Sequence, residues 1–172
     1  MKMKEKIIIT IVVIIISALT YAWFSQTGTK TAPIVTMETT TGKKFSFADY
    51  NNKPVLVVFW ATTCTTCLKE IPHLVELYKE LEPMGLKIIG ITMSYDPPSQ
   101  VVEMIKKRNI PYPVVMDLNK ELMRGFGMKF AVTPTSYLIA PGGHIVMQKA
   151  GLLDMKQLRK QIIGYLKPTT LE

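Results

Sequence analysis

Cys64 and Cys67 are the only cysteines in 172 residues, and their setting constrains the fold more than any other feature. An apolar run, Val55-Leu56-Val57-Val58-Phe59-Trp60, ends four residues before Cys64. It is rich in valine and aromatics and apolar on both parities, the pattern of a strand covered on both faces. After the cysteines, Leu68, Ile71, Leu74, Val75, Tyr78 and Leu81 recur at three and four residues. That spacing predicts a helix over 65–81, with a kink at Pro72. A strand turning straight into a helix puts Cys64 at the helix N-terminus and Cys67 one turn in. Unpaired N–H groups and the helix dipole favour a negative sulfur there. Cys64 is then the attacking nucleophile, and Cys67 resolves the mixed disulfide.

The rest of the chain alternates in the same way. Residues 86–92 read as a second buried strand, 99–107 as a helix and 114–116 as a short strand. A short helix follows at 119–126, closed by Gly125 or Gly127. Strands at 135–139 and 145–149 join through Pro141-Gly142-Gly143, a turn signal. Asp154 caps a final helix that runs to Leu166. Residues 34–37 and 44–47 are short strand or turn candidates. Together these predict an α/β domain over 34–172, with a central mixed β-sheet flanked by helices.

Residues 7–24 carry no charge over eighteen positions. About 20 helical residues cross a bilayer core, so the segment can span as a single transmembrane helix. Lys2, Lys4 and Lys6 place the N-terminus in the cytoplasm and export the remainder. Residues 1–25 are read as a retained anchor, 26–33 as a polar linker. A cleaved signal peptide is the other reading. In a bacterium the domain would stand on the inner membrane, facing the periplasm or the cell exterior. The formal charge of +8 divides into +3 over residues 1–33 and +5 over the rest. The one basic run, Lys106-Lys107-Arg108, reads as a solvated helix face, and no basic patch interleaved with aromatics points to nucleic acid. Export also bears on the cysteines, because oxidising compartments favour disulfides. A bridge over so short a loop stabilises by only about 2 kcal/mol, against about 4.7 for a 100-residue loop. The pair therefore reads as a working disulfide.

Five elements resemble the thioredoxin superfamily over about residues 34–167: the strand at 55–60, Phe59-Trp60-Ala61, Cys64-x-x-Cys67, Pro72 and Thr133-Pro134-Thr135. The Cys-Leu-Lys-Glu-Ile-Pro continuation, an added segment around 97–110 and the N-terminal anchor look closest to the membrane-anchored TlpA/ResA-type thiol–disulfide oxidoreductases. The resemblance implies a thioredoxin-like fold and a redox-active disulfide between Cys64 and Cys67, with no cofactor and no metal. It also implies a cis bond at Pro134, packed against the cysteines. With Thr133, Pro134 would offer backbone to a substrate strand, and Trp60 is expected on the active-site surface. Glu70 matches a glutamate beside the cysteines that tunes their proton exchange. It would do so by like charge or by passing a proton to and from Cys67. Members of this branch act as reductants, drawing electrons from a membrane thiol–disulfide donor. Their targets are exported proteins such as apocytochrome c or copper-site assembly proteins.

The chain departs from the superfamily pattern at three places. Val58 stands where thioredoxin has a buried aspartate, so proton handling falls to Glu70. Thr65-Thr66 replaces pairs containing proline, and Thr63 replaces a tryptophan. No redox potential or direction carries over. A copper metallochaperone would use the same two thiols, but the sequence offers no clear third ligand. His73 lies about 600° round the helix from Cys67, largely off its face. A peroxidase of related fold needs Pro-x-x-x-Thr-x-x-Cys, and this chain has Val57 and Ala61 at those positions. A redox-inert adaptor with a structural cysteine pair is a further alternative. Tyr95-Asp96-Pro97-Pro98 reads as a loop at a strand end, either a connector or one wall of a partner groove.

Overall fold

The computed structural model describes residues 3–25 and 30–166, with first-helix side chains described over 10–21. The chain divides into two units, Met1–Lys30 and Thr31–Glu172. The first unit holds α1 (Met3–Ser25). Among the described residues no helix is long and apolar enough to cross a membrane. The expected anchor lies in part outside the described residues, as does the linker over 26–29.

The second unit runs β1 (Met37–Glu38), β2 (Lys44–Phe45), a short 3-10 helix, β3 (Val55–Trp60), α2 (Thr65–Leu81), β4 (Lys87–Thr92) and α3 (Pro98–Lys107). It continues through β5 (Val114–Met116), α4 (Glu121–Gly125), β6 (Thr135–Ile139), β7 (Ile145–Ala150) and α5 (Met155–Leu166). Five strands form one mixed sheet in the order β5-β4-β3-β6-β7. β3 pairs parallel with β4 and antiparallel with β6. The α/β architecture read from the sequence is therefore present. β1 and β2 form only a two-stranded ribbon, much shorter than the candidate segments at 34–37 and 44–47.

β3 is central because every residue in it has a buried side to fill. Leu56, Val58 and Trp60 pack on one face with Cys67, Ile71 and Leu74 of α2 and with Leu158 and Ile162 of α5. Val55, Val57 and Phe59 pack on the other with Phe45, Phe47, Phe126 and Tyr137. This is the two-residue period of a strand, with both faces covered. Leu74, Leu77 and Leu81 of α2 are each 1% exposed, and burying such a side chain contributes about 1.5–3 kcal/mol. Packing thus holds α2 in one piece through exposed Pro72, which has no N–H for the carbonyl of Leu68.

The predicted linker ends too late. Thr31 bridges His144 in antiparallel fashion, and the Ala32 N–H donates to the Gly143 carbonyl at 2.9 Å. Pro33 lies so close to Gly125 that a Cβ there would come within 2.7 Å of it. Thr31–Pro33 therefore belongs to the domain. The turn it meets depends on glycine: Gly142 and Gly143 have φ of +92° and +81°, where side chains are strained.

Candidate functional site

The site forms at the C-terminal end of β3. Cys64 caps α2 with φ −84° and ψ 100°, and its Sγ accepts the Cys67 N–H at 3.1 Å. The two cysteines form a disulfide with S–S 2.08 Å. Cys64 is half-buried, whereas Cys67 is 2% exposed. Cys64 is therefore the sulfur more open to an approaching partner.

The turn that presents Cys64 is fixed from outside its own strand. Asp96, buried in the β4–α3 loop, accepts two bonds from Thr62: the N–H at 3.0 Å and the hydroxyl at 2.9 Å. The Cys64 N–H closes the turn onto the Ala61 carbonyl at 3.1 Å. Sequence reading placed Asp96 in a loop at a strand end but did not join it to the cysteine turn. The only local signal was an acid beside Pro97-Pro98, in a loop opening a helix.

Thr133-Pro134 is a cis peptide bond. Phe59 lies opposite Thr135, so Pro134 falls just before the start of β6, level with the start of the Cys64 turn. The carbonyl of Pro134 already accepts the Gly151 N–H at 2.8 Å. Pro134 has no N–H to offer, and its carbonyl is engaged in this way.

Trp60 departs from expectation. It is 3% exposed and sits in the core with Val58 and Cys67, not on the active-site surface. The reason is parity: Trp60 shares a strand face with Leu56 and Val58, and α2 covers that face. Its Nε1 is buried with no hydrogen-bond partner among the described residues. The indole lies so close to Gly90 that a Cβ there would come within 3.0 Å of Nε1.

Glu70 is buried too, at 2% exposed, rather than solvated. Its Oε1 accepts the Leu153 N–H at 2.7 Å, and its Oε2 has no partner among the described residues. At i+3 it neighbours Cys67 on the helix surface. Burial raises its pKa above the ordinary value, and the Leu153 N–H and His73 partly oppose the rise. Burial, followed by the charge of Glu70, also pushes up Tyr112, which packs in the same cluster. Val58 is buried in that cluster and carries no carboxylate, and Glu70 is a buried carboxylate on α2, three residues after Cys67. His73 is exposed and faces Glu76 at 4.0 Å. Among the described residues no group of three or more His, Cys, Asp or Glu is placed to hold a metal ion.

Comparison with known proteins gives the same picture. Residues 29–148 match the AhpC/TSA family. Thiol-disulfide oxidoreductase ResA of Bacillus thuringiensis subsp. konkukian is 30% identical over 141 residues, covering 82% of this chain and 78% of that protein. ResA of Bacillus subtilis is 28% identical over 178 residues, covering 98% of this chain and 97% of that protein. A crystal structure of a thioredoxin-family thiol:disulfide interchange protein from Chlorobium tepidum superposes with TM-score 0.72 at 29% identity, over 81% of this chain and 97% of that one.

Proposed function

This chain belongs to the AhpC/TSA family, and from that premise we propose that it is a membrane-anchored, extracytoplasmic thiol–disulfide oxidoreductase that reduces disulfides in exported proteins. The observation that carries the chemistry is the asymmetry of the pair. Cys64 is accessible at a helix cap, and Cys67 is buried behind it with a buried carboxylate one turn further on. In the reduced protein the Cys64 thiolate attacks a substrate disulfide. One S–S bond forms to Cys64, and the substrate's other sulfur leaves as a thiolate. Cys67 passes its proton to Glu70 and attacks Cys64. The second substrate sulfur leaves and is protonated, and the protein holds the Cys64–Cys67 bond. Two electrons and one proton have moved from the protein to the substrate, and the sulfur that left first takes its proton from solvent. A second dithiol, from a membrane thiol–disulfide donor, restores the starting state. Thr133 pairs with the substrate backbone beside Cys64.

Anchorage is supported by the uncharged segment at 7–24 behind three lysines, and by ResA relatives that align along nearly the whole chain. The implied setting is the bacterial inner membrane, with the domain outside the cytoplasm. Exported cytochrome c precursors or copper-site assembly proteins are the substrate class. Val57 and Ala61 stand where the peroxidase pattern has proline and threonine, which argues for disulfide exchange within this family.

Trapping tests the proposal. The Cys67→Ser protein should accumulate Cys64 in covalent linkage to exported proteins, identifiable by mass spectrometry after non-reducing purification. Cys64→Ala should trap nothing and reduce nothing. Undiminished reduction by Cys64→Ala would end the mechanism.

A further inference from the structure

Two hydrogen bonds from one short loop hold both sides of the site. In the β7–α5 connection, residues 151–154, the Gly151 N–H reaches the Pro134 carbonyl at 2.8 Å. Two residues on, the Leu153 N–H reaches Glu70 Oε1 at 2.7 Å, across 83 residues of sequence. The loop is fixed at each end by other contacts. Ala150 lies opposite Thr135 in the sheet, and Asp154 caps α5 through the Gln157 N–H at 3.0 Å. Gly151 has φ +85°, a turn that side chains strain to make. A donor held this way does not follow the carboxylate; it fixes where the carboxylate lies.

The two oxygens of Glu70 are consequently unlike. Oε1 is occupied by a charge-assisted bond. Oε2 is buried with no partner among the described residues. We propose that the Leu153 N–H is the positioning group for Glu70, holding Oε1 so that Oε2 alone takes and returns the Cys67 proton. This rests on the Glu70 role proposed above. A second consequence concerns proton affinity. The bond stabilises the ionised carboxylate against the burial that disfavours it. Without that bond, Glu70 would hold its proton more tightly and give it up less readily. The other groups facing Glu70 are Cys67 and His73 on α2 and Tyr112 from the α3–β5 connection. Asp154, beside Leu153, is engaged with the start of α5.

The test uses the reduced full-length chain in detergent, isotope-labelled at glutamate carboxyls and backbone amides. The Leu153 amide resonance should titrate with the same midpoint as the Glu70 carboxyl, and in Glu70→Gln it should not titrate at all. Leu153→Pro deletes the donor and should raise the proton affinity of Glu70 roughly tenfold or more. It should carry the Glu70-dependent step in cysteine alkylation rate to higher pH. Leu153→Ala keeps the N–H and should keep the parent profile. A Leu153 amide indifferent to the titration of Glu70 overturns the inference, even if the proline variant does not fold. So does a folded Leu153→Pro with the parent profile. If Glu70→Gln itself leaves the alkylation profile unchanged, the Glu70 role falls and takes the inference with it; either of the first two results, with an altered Glu70→Gln profile, removes the inference alone.

Discussion

Two helices begin at the same end of the sheet, and their first turns are completed by different chemistry. α5 opens behind Asp154, whose carboxylate accepts the Gln157 N–H at 3.0 Å. α2 opens behind Cys64, whose disulfide sulfur accepts the Cys67 N–H at 3.1 Å. A carboxylate is a strong, charge-assisted cap; a neutral sulfur is a weak acceptor. α4 repeats the first solution, with buried Asp117 accepting the N–H groups of Leu122 and Met123 at 3.0 and 2.8 Å. Two helices that only build the fold, α4 and α5, thus receive a full negative charge where their dipoles call for one. The reactive helix has only a neutral sulfur at that place.

The largest test of that contrast replaces the sulfur with an ordinary cap. Cys64→Ser should lose disulfide exchange on the order of a thousandfold or more. Its stability should stay within about 1 kcal/mol of the reduced parent by denaturant titration; a larger loss would make Cys64 structural. Next, Asp117→Ala strips two N–H groups of their acceptor and should cost about 2–3 kcal/mol. Calorimetry would show the loss, and exchange by the folded protein should be unchanged. Asp154→Ala removes a single exposed cap and should cost about 1 kcal/mol, read from the same melts.

The smallest effect lies in pH. Burial raises Glu70 above its ordinary 4.5, so the folded state binds that proton more tightly than the unfolded chain. Its contribution to stability is fully present below the unfolded value and is lost as pH rises through the folded one. Unfolding curves of the oxidised parent should therefore weaken relative to Glu70→Gln from about pH 4.5 upward. Parallel curves would mean the carboxylate carries no burial penalty.

What could be read in advance followed from local spacing. β3 is an apolar run, β6 is a short strand next to the Pro141-Gly142-Gly143 turn, and α2 carries an unbroken three-and-four repeat, so neighbours in sequence specified each of them. The cap at Asp154 was legible for the same reason, since its partner is three residues away. Contacts that bridge elements left no such trace. The Asp96–Thr62 pair spans 34 residues and the Glu70–Leu153 pair 83. In the second pair the donor is a backbone group, which no side-chain pattern encodes. Trp60 was misplaced for a different reason. Its position next to the cysteine turn suggested a surface, but the strand period had already assigned its face to the core. The early end of the linker at Thr31 was hidden because polar residues and a proline look the same in a tether and in a short edge bridge.

That edge bridge has a mechanical meaning. Thr31 and Ala32 fasten to His144 and Gly143, at the opposite end of β6 and β7 from Pro134. Five strand residues, roughly 16 Å, separate that end from the cysteines. Tension arriving through Lys30 would run into the β6–β7 hairpin at the margin of the sheet and bypass β3. The first bonds to part would be those of residues 31 and 32. The reactive turn would keep its shape under such a load, because it lies at the other end of the strands from the point of pull.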